Sequence, residues 1–412
     1  MKIASQVNPE RLIGAEWENV VRISNDGWTF LPLARNSAIK GMSPILILLS
    51  FVLFATAALR AQEPAKPASR AEATAIIANA RKILTPNGVE RLEKVRIGEI
   101  DQWVSIRGTD RRNPVLLYIH GGPGYVSIPM SWWFSRGLEE YFTVVQWDQR
   151  AAGKTFLLTD PATIAPTLSN ERMISDAEEM AAWARKEFAK DKIFVLGHSY
   201  GSFLGLQLAQ RHPEWLYAYI GVCQLIDGPE SERRGWHFAM DAARRGGNAE
   251  AVKELEAIAP YGAPGRTIPI KDIYVERKWV SYYGGVMAYR RDNSDDSALA
   301  QLSPDYTDQE ISHIWDGNKF STPYLLPEVV ALDLTKVNKL SVPLILFEGR
   351  HDRTVNSEVA AAWFDTVKAP EKQLVWFEHS GHMPMTEERG KFLLDLVRYA
   401  RPIAEMARDV AP

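Results

Sequence analysis

The stretch GHSYG at 197–201 places a serine, Ser199, between two glycines in the spacing G-x-S-x-G. An apolar run at 192–197 precedes the serine and an apolar helical pattern follows it, so the serine stands where a strand enters a helix. Such a turn forces strained torsions on the serine, and the glycines make room for neighbouring backbone. The pattern predicts a nucleophile, and the alternative is a tight glycine turn with an incidental serine.

A serine hydroxyl needs a base to take its proton and a carboxylate to orient that base. Asp352 follows the apolar run at 343–348, and His382 lies in a glycine loop beyond the run at 373–378. The order serine, acid, histidine is the one used where the serine sits on a strand-to-helix turn. Ser199, Asp352 and His382 are therefore the predicted catalytic residues.

Two other acids and one other histidine are rivals for these roles. Asp148 and Asp227 also end apolar runs, and His379 directly ends the run that precedes His382. The pair His379-x-x-His382 offers two metal ligands with no third in range, whereas a zinc site takes at least three protein ligands. We therefore expect no metal and no cofactor.

The stretch HGGPG at 120–124 directly follows the apolar run at 114–119. Glycines leave backbone N–H groups unshielded and able to point at an oxyanion that forms during attack on a carbonyl. The predicted donors are the amides of Gly122 and of Tyr200, the residue after the serine. His120 is expected to fix the loop rather than to take part in the chemistry.

The elements that must position these residues can be read from the apolar pattern. Six short apolar runs recur between helical stretches, at 114–119, 142–147, 192–197, 217–223, 343–348 and 373–378. Runs of this kind are typical of parallel strands that are buried on both faces, and their alternation with helices predicts an α/β fold. An alternating stretch at 89–108 predicts an antiparallel hairpin. The segment 70–84 has the pattern of an amphipathic helix.

The alternation of predicted strands and helices is interrupted between 226 and 335. This stretch is charged, rich in Trp and Tyr, and lacks apolar runs, which predicts a helical insertion between two strands. Asp227, Glu230 and Glu232 stand at its start and are candidates to bind a substrate ammonium. Their alternative interpretation is a solvated loop and helix start, where acidic residues favour the helix dipole.

Composition excludes some classes of partner and leaves others open. The net charge of −3 gives no reason to expect nucleic acid or an anionic membrane surface as a partner. The single cysteine, Cys223, rules out an intramolecular disulfide and lies in an apolar run, where it is expected to be a buried small side chain. The expected partner is a small molecule or a short peptide, as substrate.

The motifs HGGPG, WDQRAAGKT, GHSYGS, GRHD and SGHMPMTE together resemble the α/β-hydrolase fold, in its proline iminopeptidase-like branch (peptidase family S33). The resemblance covers roughly 95–400. It implies a mostly parallel central sheet with helices on both faces, a helical cap inserted between strands, and an acyl-enzyme formed on Ser199. It also implies aminopeptidase action on short peptides. Some relatives bind the amine with cap glutamates or with a glutamate just after the catalytic Asp, where this chain has Arg353.

Three functions follow as alternatives. The first is a serine aminopeptidase that removes small N-terminal residues. The second is an esterase, lactonase or related hydrolase of a small apolar substrate, and the third is a non-catalytic exported binding protein on a hydrolase scaffold. An acidic cap pocket favours the first function and an apolar pocket favours the second.

The amino end predicts export or anchoring. Residues 43–59 are uncharged and apolar, with positive residues before them and small residues after them, which is the pattern of a signal peptide or a membrane anchor. The mature chain is expected to begin between 58 and 62, outside the cytoplasm. The predicted organisation is an extension with the signal or anchor at 1–61, a linker and helix at 62–94, hydrolase core at 95–225, cap at 226–335 and hydrolase core at 336–412.

Overall fold

A computed structural model describes the protein at residues 22–24, 27–29, 66–263 and 265–412. The chain divides into two compact units, 1–66 and 67–412. In the first unit, strand β1 (Arg22–Ser24) pairs antiparallel with strand β2 (Gly27–Thr29).

The apolar segment 43–59 and the mature start expected at 58–62 lie outside the described residues. Within the described ranges, none of the helices combines the length and the apolar character needed to cross a bilayer. Export or anchoring therefore stays a prediction from the sequence.

The second unit is built on one eight-stranded sheet. Its strands are β3 (Val89–Ile97), β4 (Ile100–Gly108), β5 (Val115–Ile119), β6 (Thr143–Trp147), β7 (Ile193–His198), β8 (Leu216–Val222), β9 (Leu344–Gly349) and β10 (Lys372–Phe377). Their spatial order is β10-β9-β8-β7-β5-β6-β4-β3. Strands β5 to β10 pair in parallel, whereas β3 pairs antiparallel with β4, and β4 with β6. The predicted mostly parallel sheet and the predicted hairpin are confirmed.

Burial follows position in the sheet. Every residue of β5, β6, β7 and β9 is buried, because each of these strands has neighbours on both sides and helices packed on it. Strand β10 carries an apolar run like the others but lies at the edge of the sheet, and only Val375 and Phe377 of its residues are buried. The expectation that this run is buried on both faces was wrong.

Helices connect and cover the strands. They are α1 (Arg70–Arg81), α2 (Ser131–Phe134), α3 (Gly153–Leu157), α4 (Pro161–Ile164), α5 (Asn170–Glu187), α6 (Tyr200–Arg211), α7 (Gly228–Arg245), α8 (Ala249–Ala257), α9 (Ile270–Tyr282), α10 (Ser294–Gln301), α11 (Asp308–Ser312), α12 (Asp316–Val329), α13 (Ser357–Thr366), α14 (Pro384–Glu387), α15 (Arg389–Tyr399) and α16 (Arg401–Met406). Helices α5 and α6 pack on the central strands, and α13 and α15 pack on β9 and β10.

Six helices, α7 to α12, lie between β8 and β9 and form a cap. The chain enters and leaves the cap at adjacent points, because Leu334 N–H donates to Ile226 O at 2.7 Å and Gly228 N–H to Leu332 O at 2.8 Å. Because the entering and leaving segments are hydrogen-bonded to each other, the long insertion does not disturb the order of the strands in the sheet.

The amino-terminal helix α1 is attached to the cap by Arg70. Its guanidinium donates to the carbonyl oxygens of Gln301, Ser303 and Tyr306 at 2.6, 2.9 and 2.8 Å, and it pairs with Asp308 at 2.5 Å. One side chain thus binds the last residue of α10, two residues of the connection that follows it, and the first residue of α11.

The sheet topology determines where a site can form. From β5 the chain goes to β6 on one side, and the next parallel strand, β7, lies on the other side of β5. In open α/β sheets, ligands bind at the carboxyl ends of strands where the order reverses in this way. The HGGPG loop follows β5 and Ser199 follows β7, so both lie at this point.

Candidate active site

Ser199 occupies the sharp turn between β7 and α6. Its φ of 53° lies in the left-handed region, where a residue with a side chain pays about 1–3 kcal/mol of strain. Its N–H donates to Val222 O at 3.0 Å, which anchors the turn to β8. A Cβ on Gly197 would lie 2.8 Å from Ser202 Cα, and one on Gly201 would collide with the backbone at the end of β5. The two glycines are therefore required by the close approach of three backbone segments.

Asp352 and His382 form a buried pair. The loop after β9 carries Asp352 and the loop after β10 carries His382, and Asp352 Oδ2 lies 2.7 Å from His382 Nδ1. Asp352 Oδ1 accepts hydrogen bonds from the N–H groups of Thr354 at 2.7 Å and Val355 at 3.3 Å. Burial opposes ionisation of Asp352, but the charge and hydrogen bonds of its partners outweigh burial and hold the pKa of this carboxyl below its usual range. The carboxylate is thus ionised and oriented toward the imidazole.

Ser199 and the pair are brought to the same end of the sheet. No hydrogen bond within the described ranges joins Ser199 Oγ to His382. The two loops are linked instead by His198, the residue before Ser199, whose Nε2 lies 2.8 Å from His382 O. In enzymes without bound substrate, the bond between a nucleophile and its base is often long and shortens only in the complex. The arrangement is therefore compatible with proton transfer from Ser199 to His382 Nε2.

The predicted oxyanion donors line one cavity together with the serine. Gly122, Tyr200 and Ser199 all contribute to its wall. Gly122 has a φ of 123°, a conformation that favours glycine, and Tyr200 is the first residue of α6, where helical N–H groups lack a partner within the helix. No hydrogen bond of the described residues uses either amide N–H, so both are available to an oxyanion.

His120 holds the HGGPG loop in place. Its Nδ1 lies 2.8 Å from Gly121 O, to which it donates, and its Nε2 accepts from Gln149 N–H at 3.3 Å. Gln149 also donates from Nε2 to His120 O at 2.9 Å. Burial lowers the pKa of His120 to about 4, so the imidazole is neutral near pH 7 and can make both bonds at once. These contacts give His120 the loop-fixing role that the sequence predicts.

The rival residues have other roles in the structure. Asp148 accepts from Lys154 N–H at 2.8 Å and from the Tyr306 hydroxyl of the cap, and burial raises its pKa to about 7. Asp227 caps the amino end of α7, and His379 is exposed. None of these three side chains forms the buried acid–imidazole pair that Asp352 forms with His382.

The cavity beside Ser199 has a volume of about 180 Å³. Pockets for drug-sized ligands span about 300–1,000 Å³, so this cavity suits one small acyl group or one amino-acid residue. Much of its wall is apolar and includes the side chains of Leu225, Ile273, Leu326, Val330 and Val355. The charged residues of the wall are Glu232 and Arg277.

The three acidic candidates occupy different places. Glu232 lines the cavity and is buried, whereas Glu230 lies on another side of α7 and pairs with Arg234 at 2.6 Å and with Arg233. Asp227 serves as the helix cap and is not part of the cavity wall. Of the three, only Glu232 could contact a substrate in the cavity.

Three further residues near Glu232 could not be found from the sequence: Arg277, Glu276 and Tyr261. Arg277 on α9 pairs with both Glu232 and Glu276, and the Tyr261 hydroxyl donates to Glu232. Glu276 is fully buried; burial raises its pKa to about 8, although the charge of Arg277 opposes this rise. Glu232 lies more than forty positions before Glu276 and Arg277 in the chain. A single sequence carries no signal that would pair residues so far apart.

One cluster of possible metal ligands lies near the site. Atoms of His198, Cys223 and His382 come within 4.8 Å of one another. Burial raises the pKa of the Cys223 thiol well above its usual value, which disfavours the thiolate form that binds metals. Both histidines are engaged in contacts already described: His198 Nε2 lies 2.8 Å from His382 O, and His382 Nδ1 lies 2.7 Å from Asp352 Oδ2. The cluster therefore has the character of packing around the Asp352–His382 pair.

Comparisons with known proteins point to one fold family. Residues 114–388 match the family model described as the α/β hydrolase fold. The chain is 29% identical to "Probable aminopeptidase YbaC" of Bacillus subtilis over 75% of this chain and 96% of that protein. It is 33% identical to "Probable proline iminopeptidase" of Leptolyngbya boryana over 68% of this chain and 84% of that protein.

A solved structure shows the same architecture. The proline iminopeptidase-related protein TTHA1809 of Thermus thermophilus superposes with a TM-score of 0.55 at 19% identity, over 76% of this chain and 99% of that chain. At this level of identity, the likeness concerns the fold.

Proposed function

The chain belongs to the α/β-hydrolase family, and on that premise we propose that it is a serine hydrolase whose catalytic triad is Ser199, His382 and Asp352. The observation that carries the proposal is the buried Asp352–His382 pair, whose Oδ2 and Nδ1 atoms lie 2.7 Å apart, at the carboxyl end of the sheet where Ser199 lines a cavity. A buried carboxylate bonded to Nδ1 leaves Nε2 free to act as a base.

The reaction proceeds through an acyl-enzyme. Ser199 Oγ attacks the substrate carbonyl carbon while His382 Nε2 takes its proton, and the amides of Gly122 and Tyr200 stabilise the oxyanion. The C–N or C–O bond then breaks, and the leaving group takes the proton from His382. Water, activated by the same imidazole, attacks the acyl carbon and releases Ser199 and a carboxylic acid.

The proposed substrate is a short peptide with a free amino end, as the names of the relatives suggest. A substrate ammonium in a small, mostly apolar cavity needs a negative partner, since an unpaired buried charge costs several kcal/mol. Glu232 is the acidic residue of the cavity wall and is the proposed partner. The cavity volume of about 180 Å³ fits one N-terminal residue.

A specific observation favours a second candidate, an esterase of small acyl groups. Arg277 of the cavity wall already pairs with Glu232 of the same wall and with the fully buried Glu276. Burial raises the pKa of Glu276 to about 8, which favours its neutral form near pH 7 and leaves Glu232 as the ion-pair partner of Arg277 in the cavity wall. An ammonium must then compete with Arg277 for Glu232 or promote ionisation of Glu276.

The nucleophile is tested with a fluorophosphonate probe and Ser199→Ala. The probe is expected to label Ser199 alone in the unmutated protein, and the variant should lose turnover by about a thousandfold or more, because the attacking oxygen is gone. Labelling of another serine, or an active variant, would contradict the proposed triad.

The substrate class is tested with Glu232→Gln, using alanyl and prolyl arylamides beside short acyl esters. For an aminopeptidase, KM for the arylamides should rise at least about tenfold while ester hydrolysis stays near its original rate. Glu230→Gln on the same helix is the matched control, because Glu230 pairs with arginines outside the cavity. Equal turnover of amine-blocked and free arylamides by the unmutated enzyme would favour the esterase.

A further inference from the structure

A short segment of the cap crosses both loops of the catalytic pair. We call residues 284–289, which follow α9, the strap. Gly285 O accepts a hydrogen bond from Arg353 N–H at 2.8 Å, one residue after the catalytic carboxylate. Val286 O accepts from the N–H of His382 itself at 2.6 Å. The strap is therefore bonded to the backbone of both loops at the catalytic positions.

Glu387 ties the strap to the histidine loop a second time. Its Oε1 accepts from Ala288 N–H of the strap at 2.7 Å. Its Oε2 accepts from the N–H groups of Gly381 at 2.9 Å and Met383 at 3.2 Å, the two neighbours of His382. One largely buried carboxyl group thus orients three backbone amides around the base.

The strap and the two loops approach each other closely at two glycines, Gly285 and Gly381. A Cβ on Gly285 would lie 2.9 Å from Arg353 Cβ, and one on Gly381 would collide with Val286 O. Closely packed segments transmit displacement, because they cannot be compressed. A shift of the strap must therefore move the loop that carries His382.

Helix α9, which lines part of the cavity, leads directly into the strap. Ile273, Tyr274 and Arg277 of α9 line the cavity beside Ser199. The helix runs directly into the strap, and Gly285 N–H donates to its last turn at 2.8 Å. A group that fills the cavity contacts the helix whose continuation holds His382.

We propose that the strap couples occupancy of the cap cavity to the alignment of His382, with Glu387 as the positioning residue of this coupling. The proposal rests on the proposed serine-hydrolase function. Its consequence is kinetic: an acyl group that contacts α9 is turned over with a higher kcat than one too small to reach the helix. Misplacement of a catalytic group by about 1 Å can cost about a hundredfold in rate, so a small improvement in alignment has a measurable effect.

The test compares two esters of the same phenol, an acetyl ester and an alanyl ester, in the full-length protein. The measured quantity is the ratio of their kcat values, alanyl over acetyl. Glu387→Gln keeps the size of the side chain but replaces one acceptor oxygen with an NH₂ group that faces N–H donors. We expect this variant to lower the ratio at least fivefold, while KM for each ester stays within about twofold.

Glu388→Gln is the matched control. Glu388 accepts from His379 N–H at 2.9 Å and from Ser380 Oγ at 2.8 Å, so it anchors the same loop, and no hydrogen bond among the described residues joins its side chain to the strap. The ratio should be unchanged in this variant. Tyr289→Phe is the second test, should Glu387→Gln fail to fold. It removes only a hydroxyl of the strap that lies 3.1 Å from His351 Nε2 and 3.4 Å from His379 Nδ1, and it should lower the ratio in the same direction.

The outcomes separate this proposal from the proposed function. A ratio that falls in Glu387→Gln and holds in Glu388→Gln supports the coupling. An equal loss for both esters, which is what a merely structural role predicts, or an unchanged ratio overturns it. Fluorophosphonate labelling of Ser199 is measured in parallel. Labelling with an unchanged ratio overturns the coupling alone, and absence of labelling in the unmutated protein overturns the triad.

Discussion

Asp352→Asn tests the proposed catalytic pair most directly, because the contacts of Asp352 determine how the asparagine would be oriented. Asp352 Oδ1 accepts from the backbone N–H groups of Thr354 and Val355, and Oδ2 faces His382 Nδ1. These two N–H donors, one of them buried, need an acceptor, so the amide oxygen must take the place of Oδ1. The NH₂ group then faces the imidazole.

This orientation imposes the wrong tautomer on the histidine. An NH₂ donor requires His382 Nδ1 to accept, which moves the imidazole proton to Nε2, where it can no longer receive the proton of Ser199. The comparable substitution in a serine protease triad lowers kcat about 10⁴-fold. At about 1.36 kcal/mol for each factor of ten, the expected loss is about 5 kcal/mol of transition-state stabilisation.

The assay is steady-state hydrolysis of an acyl ester, together with the rate of fluorophosphonate labelling, which should fall in parallel. Asp227→Asn is the matched control: asparagine caps helices as well as aspartate, so both helix and kcat should be retained. A kcat for Asp352→Asn within tenfold of the unmutated value would refute the reasoning. A large loss in the Asp227 variant would point to that rival acid.

Three further predictions concern stability and the oxyanion loop. Burial raises the pKa of Glu276 to about 8, above the value of about 4.3 in the unfolded chain, so the free energy of unfolding should fall as pH rises between these values. Glu276→Gln should therefore shrink the difference in Tm between pH 5 and pH 8, and an unchanged difference would contradict the raised pKa. A Cβ on Gly122 would lie 2.5 Å from Tyr125 N, so Gly122→Ala should displace the proposed oxyanion donor, the Gly122 amide, and lower kcat about 10²–10³-fold. A loss in kcat below threefold would argue against this amide as an oxyanion donor. Arg70→Ala removes hydrogen bonds worth roughly 1–3 kcal/mol and should lower Tm by several degrees at constant kcat. Arg96→Ala breaks an exposed ion pair and should leave Tm unchanged, so equal effects of the two variants in thermal unfolding would contradict the anchoring role of Arg70.

The sequence was most informative where one segment determines its own structure. The apolar runs before Ser199 and Asp352 became β7 and β9 because each is long enough for a strand and too short for a buried helix. The run at 373–378 also became a strand, β10, but its place at the edge depends on which strands pair with it. An apolar run by itself does not carry that information.

The cap shows where a single sequence stops being informative. Glu230 and Glu232 are two positions apart, and at 3.6 residues per turn they point about 200° away from each other, so one enters the cavity and the other does not. Which of the two faces inward depends on how α7 packs against α9. The pairing of Glu232 with Arg277 depends on the same packing, since these residues meet only in three dimensions.

The attachment of α1 by Arg70 has a consequence for the order of folding. Arg70 and its partner Asp308 are separated by 238 positions, so α1 cannot dock until the ribosome has released the chain beyond Asp308. Contacts between such distant positions carry a large loop-closure cost and tend to form late. The first helix of the second unit is thus among the last to reach its native place, and until then the connection between α10 and α11 lacks its guanidinium partner.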